Sequence, residues 1–109
     1  MTDKRIVFTA VGSEEEAKKI ARHLVETRLA ACVNIVSQIT SIYRWQDNVD
    51  EAREWLLIIK TTAAAFAAVR QAIQENHSYD LPECICVPIE DGSGDYLDWV
   101  GDSVVAGKS

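Results

Sequence analysis

An α+β fold of element order β-α-β-β-α-β, closed by a short C-terminal helix, is what the sequence predicts. Three observations predict it. Four segments are dense in β-branched and aromatic residues, and two others repeat apolar residues at helical spacing. The two middle β-prone segments are separated only by Gln46, Asp47 and Asn48, a hairpin turn signal. The 109 residues, 48% hydrophobic and 26% charged, suit a single domain with one core. That domain spans residues 1–109, with its structured part at about 5–104.

The first strand is the run 5–11, ended by Gly12. Ser13 followed by Glu14, Glu15 and Glu16 is a capping box with acidic residues at a helix N-terminus. Ala17, Ile20, Ala21, Leu24 and Val25 then form one apolar stripe, predicting a helix over 14–28. The second strand is 31–45, with Val33, Ile35, Ile39, Tyr43 and Trp45 on one parity. The third is 49–61, polar at its start and apolar through Trp55–Ile59. Thr62 caps a second helix over 63–76, whose stripe is Phe66, Val69 and Ile73. A polar, proline-punctuated loop spans 76–83, the fourth strand is 84–89, and a closing helix covers 94–104.

This order is that of the ferredoxin-like split βαβ unit. Right-handed crossovers place both helices on one face of a four-stranded antiparallel sheet. The strands are apolar on both parities, as in Ile6, Val7 and Phe8 or Leu56–Ile59. A sheet with one wet face would alternate. A partner therefore covers the second face, for which the closing helix is too small. Fifteen residues of strand reach about 50 Å at ~3.3 Å each, beyond the ~34 Å diameter of a domain this size. The hairpin tip, with Tyr43, Trp45 and Val49, projects. Both arguments predict a homo-oligomer.

Composition excludes several functions. A net charge of −6 repels phosphate backbones, so nucleic acid is not an expected partner. No apolar run approaches the ~18 residues of a membrane span, and no signal peptide is expected. Three cysteines, an odd count, argue against a disulfide framework and for a reducing, cytoplasmic location. Cys84 and Cys86 share a strand face, but their apolar neighbours mark them as core rather than as a metal pair. No Ser-His-Asp set, phosphate loop or HExxH motif is present, so no enzymatic activity is expected.

Motifs in order along the chain then become recognisable. Leu29–Ile35, Ser41–Trp45, Lys60-Thr61, His77–Tyr79, Pro82-Glu83, Val87–Ile89 and Tyr96–Trp99 together resemble the CutA family of divalent-cation tolerance proteins. The resemblance implies a ferredoxin-like homotrimer with extended intersubunit strands, acting in tolerance of copper and other divalent ions. It implies a bound divalent metal ion, copper or zinc, and no organic cofactor. The copper ligands of the enterobacterial form fall here on Phe8, Asn76 and His77, of which only His77 keeps a donor suited to copper.

His77 is accordingly the first candidate metal ligand, in a loop whose Asp80 and Glu83 offer oxygen donors. His23, on a helix flank, reads as a surface residue. A second candidate is an intersubunit pocket of Lys60, Tyr96 and Trp99, with Glu83 beside them. Tyr43 and Trp45 are the expected trimer contacts. The alternative function is a trimer of PII-like architecture that binds a small molecule without metal, or serves as a scaffold.

Overall fold

The computed structural model describes residues 2–105. Its elements are β1 (Lys4–Val11), α1 (Glu14–Glu26), β2 (Cys32–Trp45), β3 (Asn48–Thr62), α2 (Phe66–Asn76), β4 (Ile85–Pro88) and α3 (Gly94–Ser103). The four strands form one sheet of order β2-β3-β1-β4, and every neighbouring pair is antiparallel. The expected order of elements is observed. α2 starts later than expected, because Thr62 Oγ1 accepts the Ala65 N–H at 3.2 Å and caps a turn ahead of the helix.

Both long helices pack on one sheet face. Val7, Val11, Leu57 and Ile59 point from the strands into a core shared with Ile20 and Leu24 of α1 and Val69 and Ile73 of α2. A smaller cluster of Ala31, Ala65, Val100 and Val104 seats α3 at one end of the sheet. Arg28 ties down the exit of α3, donating to the carbonyls of Asp102 and Ser103 at 3.2 Å.

The opposite face stays open. Ile6, Phe8, Leu56, Ile58 and Val87 are adjacent in the register and only partly buried, and Ile85 is 52% exposed. Apolar residues on both faces are what the strand sequences showed.

The β2–β3 hairpin projects as an arm, and the molecule measures 44 × 25 × 22 Å. The arm ends in a two-residue turn with Gln46 at φ 50° and Asp47 at φ 66°, the paired left-handed geometry of a tight hairpin. One feature of β2 departs from the sequence reading. Val36 pairs with Leu56 but Ile39 pairs with Glu54, so β2 carries one extra residue, with Gln38 at φ 58°. A one-residue bulge reverses the alternation beyond it. Val33 and Ile35 therefore lie opposite Ile59 and Leu57 on the helix side. Ile39, Tyr43 and Trp45 share the face of Glu54, against the single parity expected.

Candidate functional site

The base of the arm, the end of β1 and the 77–83 loop meet at one polar cluster. Its first member comes from α1. Ser13 caps the helix, accepting the Glu16 N–H at 3.1 Å. Only this half of the expected capping box forms. The Glu16 carboxylate reaches across the fold instead, accepting the Ser78 N–H and Ser78 hydroxyl at 2.8 Å each.

His77 ends α2. Its extended backbone turns the chain away from the helix while its N–H still bonds to the Ile73 carbonyl at 2.9 Å. The side chain is fully buried, not at the surface as a polar loop suggested. Nε2 lies 2.8 Å from the Ala10 carbonyl oxygen, which only accepts, so Nε2 carries the proton. Nδ1 then accepts the Tyr79 N–H at 3.1 Å. Both ring nitrogens are occupied, and a metal on His77 would have to displace Ala10 or Tyr79.

Tyr79 crosses from the loop to the arm. Its ring lies 4.8 Å from the imidazole, and its hydroxyl donates to Glu54 Oε2 at 2.9 Å. Burial first, then the Glu54 carboxylate, push the phenol up to about 12. Gly12 allows this approach, since a Cβ there would stand 3.1 Å from the Tyr79 hydroxyl oxygen. Glu54 itself is 8% exposed. In sequence it is one of the polar residues that open β3, and no local pattern separates it from Glu51 or Arg53.

Arm and loop enclose a groove of about 670 Å³, lined by Ala10, Ser41, Tyr43, Trp45, Glu54 and Tyr79, with Asp80, Leu81 and Glu83 toward the loop. Asp80 and Glu83 are exposed. Among the described residues, no three His, Cys, Asp or Glu side chains converge as a metal-holding group.

The residues expected to line an intersubunit pocket stand as follows within one chain. Cys32 pairs with Lys60 across the strands, and the Lys60 ammonium bonds to Asn34 Oδ1. Cys32 Sγ lies 3.6 Å from the Tyr96 hydroxyl, and the Tyr96 and Trp99 rings are 5.5 Å apart. The contact with Cys32, then burial, raise the Tyr96 phenol. Within one chain Glu83 lines the arm groove, while Lys60 stands opposite Ile6 toward the other end of β1. Cys84 and Cys86 pack against the helix-side core, and burial raises both thiols, as suits structural cysteines. His23 is exposed on α1.

An open apolar sheet face, a projecting arm and an acid-and-aromatic groove are the features that distinguish this α+β chain. Comparison with known proteins places it more narrowly. The chain belongs to the CutA1 divalent ion tolerance protein family, whose model matches residues 5–103. It is 48% identical over 100 residues to the divalent-cation tolerance protein CutA of Thermus thermophilus, covering 92% of this chain and 97% of that one. It is 50% identical to a CutA homologue of Xenopus laevis and 43% to a chloroplastic CutA of Arabidopsis thaliana. There it covers 89% and 90% of its own length but 64% and 54% of theirs. Among solved structures, the Thermus thermophilus protein superposes with a TM-score of 0.91 at 48% identity, covering 93% and 98% of the two chains. CutA of Xylella fastidiosa gives 0.93 at 35% identity, covering 94% and 99%. No described helix is long and apolar enough to cross a membrane.

Proposed function

We propose that this divalent-cation tolerance protein is a non-enzymatic homotrimer that binds a divalent ion, copper or zinc, at a site between copies that includes the carboxylates of Asp80 and Glu83. The observation that carries the reading is the incomplete donor set at the groove. Asp80 and Glu83 line the groove of one chain, and among the described residues no three such side chains converge into a metal-holding group. A protein-held divalent ion needs three or more ligands. The arm forms the other wall, and it is the element suited to reach a neighbour. His77 supports the loop from behind rather than ligating.

Assembly is supported by the open face of Ile6, Phe8, Leu56 and Ile58 and by Tyr43 and Trp45 on the arm, 43% and 46% exposed. Exposed apolar surface of this extent in one small chain calls for a covering partner. The cytoplasm suits three unpaired cysteines, although relatives include chloroplastic proteins and an Archaeoglobus fulgidus structure is described as periplasmic.

The test is a titration of metal-free, reduced protein with copper and with zinc. Binding that Asp80→Asn with Glu83→Gln abolishes, and that His77→Gln leaves intact, is the expected result. Binding indifferent to the two carboxylates overturns the assignment.

A second reading rests on Lys60, Tyr96 and Trp99, where a cation and two aromatic rings border the open face. It predicts a small anionic or aromatic ligand in a cleft between copies. Thermal stabilisation of metal-free protein by such a metabolite, lost in Lys60→Met, supports it; no shift at millimolar ligand rejects it.

A further inference from the structure

His77 joins four parts of the fold through a ring that has one proton in this arrangement. Its Nε2–H holds β1 through Ala10, and its Nδ1 lone pair holds the Tyr79 backbone. The Glu16 carboxylate from α1 waits 3.5 Å from Nδ1. The groups facing the ring are acidic or carbonyl in character. Glu16 comes from α1 and the Ala10 carbonyl from β1, and His77 itself caps the C-terminus of α2, the negative end of the helix. Tyr79 lies against the ring, with Glu54 of β3 and Tyr43 of β2 beyond it. No lysine or arginine forms an ion pair with Glu16 or Glu54 among the described residues.

A second proton can enter only at Nδ1. The ring then offers an N–H where it had a lone pair, and it meets the Tyr79 N–H head-on. The Tyr79 amide loses its acceptor, and the new Nδ1–H turns to Glu16. We propose that His77 is a proton-operated latch that fastens the 77–83 loop to the arm when neutral and releases it when charged. Release starts at the Tyr79 backbone and passes to the arm through the Tyr79–Glu54 hydrogen bond, so it opens the groove between them. Imidazole is the side chain whose ordinary titration, near pH 6.5, falls within the range cells experience. The latch lies outside the metal reading above, since it uses neither Asp80 nor Glu83.

The experiment is residue-resolved NMR on the assembled, metal-free protein from pH 8 to pH 5. It follows the His77 ring, the Trp45 indole and the protection of the Tyr79 amide, corrected for the intrinsic pH dependence of exchange. Tyr79 protection is expected to fall about tenfold as the imidazole charges, with Trp45 moving at the same midpoint. Glu16→Gln removes the anion that favours the charged ring, so the midpoint should shift to lower pH. His77→Gln, which cannot titrate, should give a flat profile; should it not fold, Glu16→Gln decides alone. Tyr79 protection that is flat in the wild type, or a midpoint that Glu16→Gln does not move, overturns the latch. A Trp45 resonance that stays fixed while Tyr79 responds overturns the coupling to the arm. Metal titration of the same samples separates this result from the carboxylate site.

Discussion

The His77 imidazole donates to the carbonyl of Ala10 at 2.8 Å, across 67 residues of sequence. That bond, with the one from the Tyr79 N–H, defines what the residue does: it is a structural tie between β1 and the loop that follows α2. His77→Ala strands a buried carbonyl and an N–H and leaves a hole. Stability should fall by about 2–4 kcal/mol. Denaturant unfolding measures this, and a loss below about 1 kcal/mol would contradict the tie.

Thr9 stands fully buried on the helix side of β1, and its Oγ1 has no hydrogen-bond partner among the described residues. An orphan hydroxyl costs free energy that an isosteric methyl does not. Thr9→Val should raise stability by about 1 kcal/mol. A destabilised variant in the same unfolding assay would show that the hydroxyl is satisfied in solution.

The tip of the arm holds two side-chain-bearing residues in the left-handed region, Gln46 and Asp47. Glycine adopts that conformation without steric cost. Asp47→Gly, which puts glycine at the second left-handed position of the turn, should stabilise by about 0.5–1 kcal/mol. Calorimetry that finds a lower Tm would argue against this turn.

Tyr79 should ionise late. Its phenol is raised to about 12 against an ordinary value near 10, chiefly by burial and secondarily by Glu54. The folded state therefore holds this proton more tightly than the unfolded chain. The stabilisation is complete below about pH 10 and is lost as pH rises through about 12. Absorbance at 295 nm should show a late-titrating tyrosine that Tyr79→Phe removes. A variant with the wild-type titration curve would place the late phenol elsewhere.

Trp45, near the arm tip, is expected to dock on a second copy. Trp45→Ala should weaken assembly, since truncating a buried Trp costs about 3–5 kcal/mol. Sedimentation across a dilution series measures the association. Unaltered mass at every concentration would refute that placement.

Much of the fold was legible along the chain. Helical stripes, the cap at Ser13 and the turn at Gln46–Asp47 are short-range signals, and each marks an element near where it lies. The long hairpin was legible as a reach too great for the body, and the two-sided apolar strands as a face left open. Cys84 and Cys86 were readable as core residues from their neighbours alone.

The site was legible only in outline. His77, Asp80 and Glu83 share a loop, so their nearness was plain, but burial of the ring was not. Glu54 went unnoticed, and Glu16 was read only as half of a cap, although both fix the loop. The alternation of β2 was misjudged for a single cause, the extra residue between Val36 and Ile39.

By itself, then, the sequence determined the element order, the family motifs and the presence of an arm, because periodicity, turn chemistry and composition act over a few neighbouring residues. Tertiary structure alone decided which face Ile39, Tyr43 and Trp45 occupy, and whether His77 keeps a free nitrogen. Those outcomes depend on a bulge in strand register and on hydrogen bonds spanning 25 to 67 residues, from Tyr79 to Glu54 and from His77 to Ala10. Partners so distant meet only when the sheet and both helices have packed, and no local pattern records which of a residue's donors and acceptors they will take.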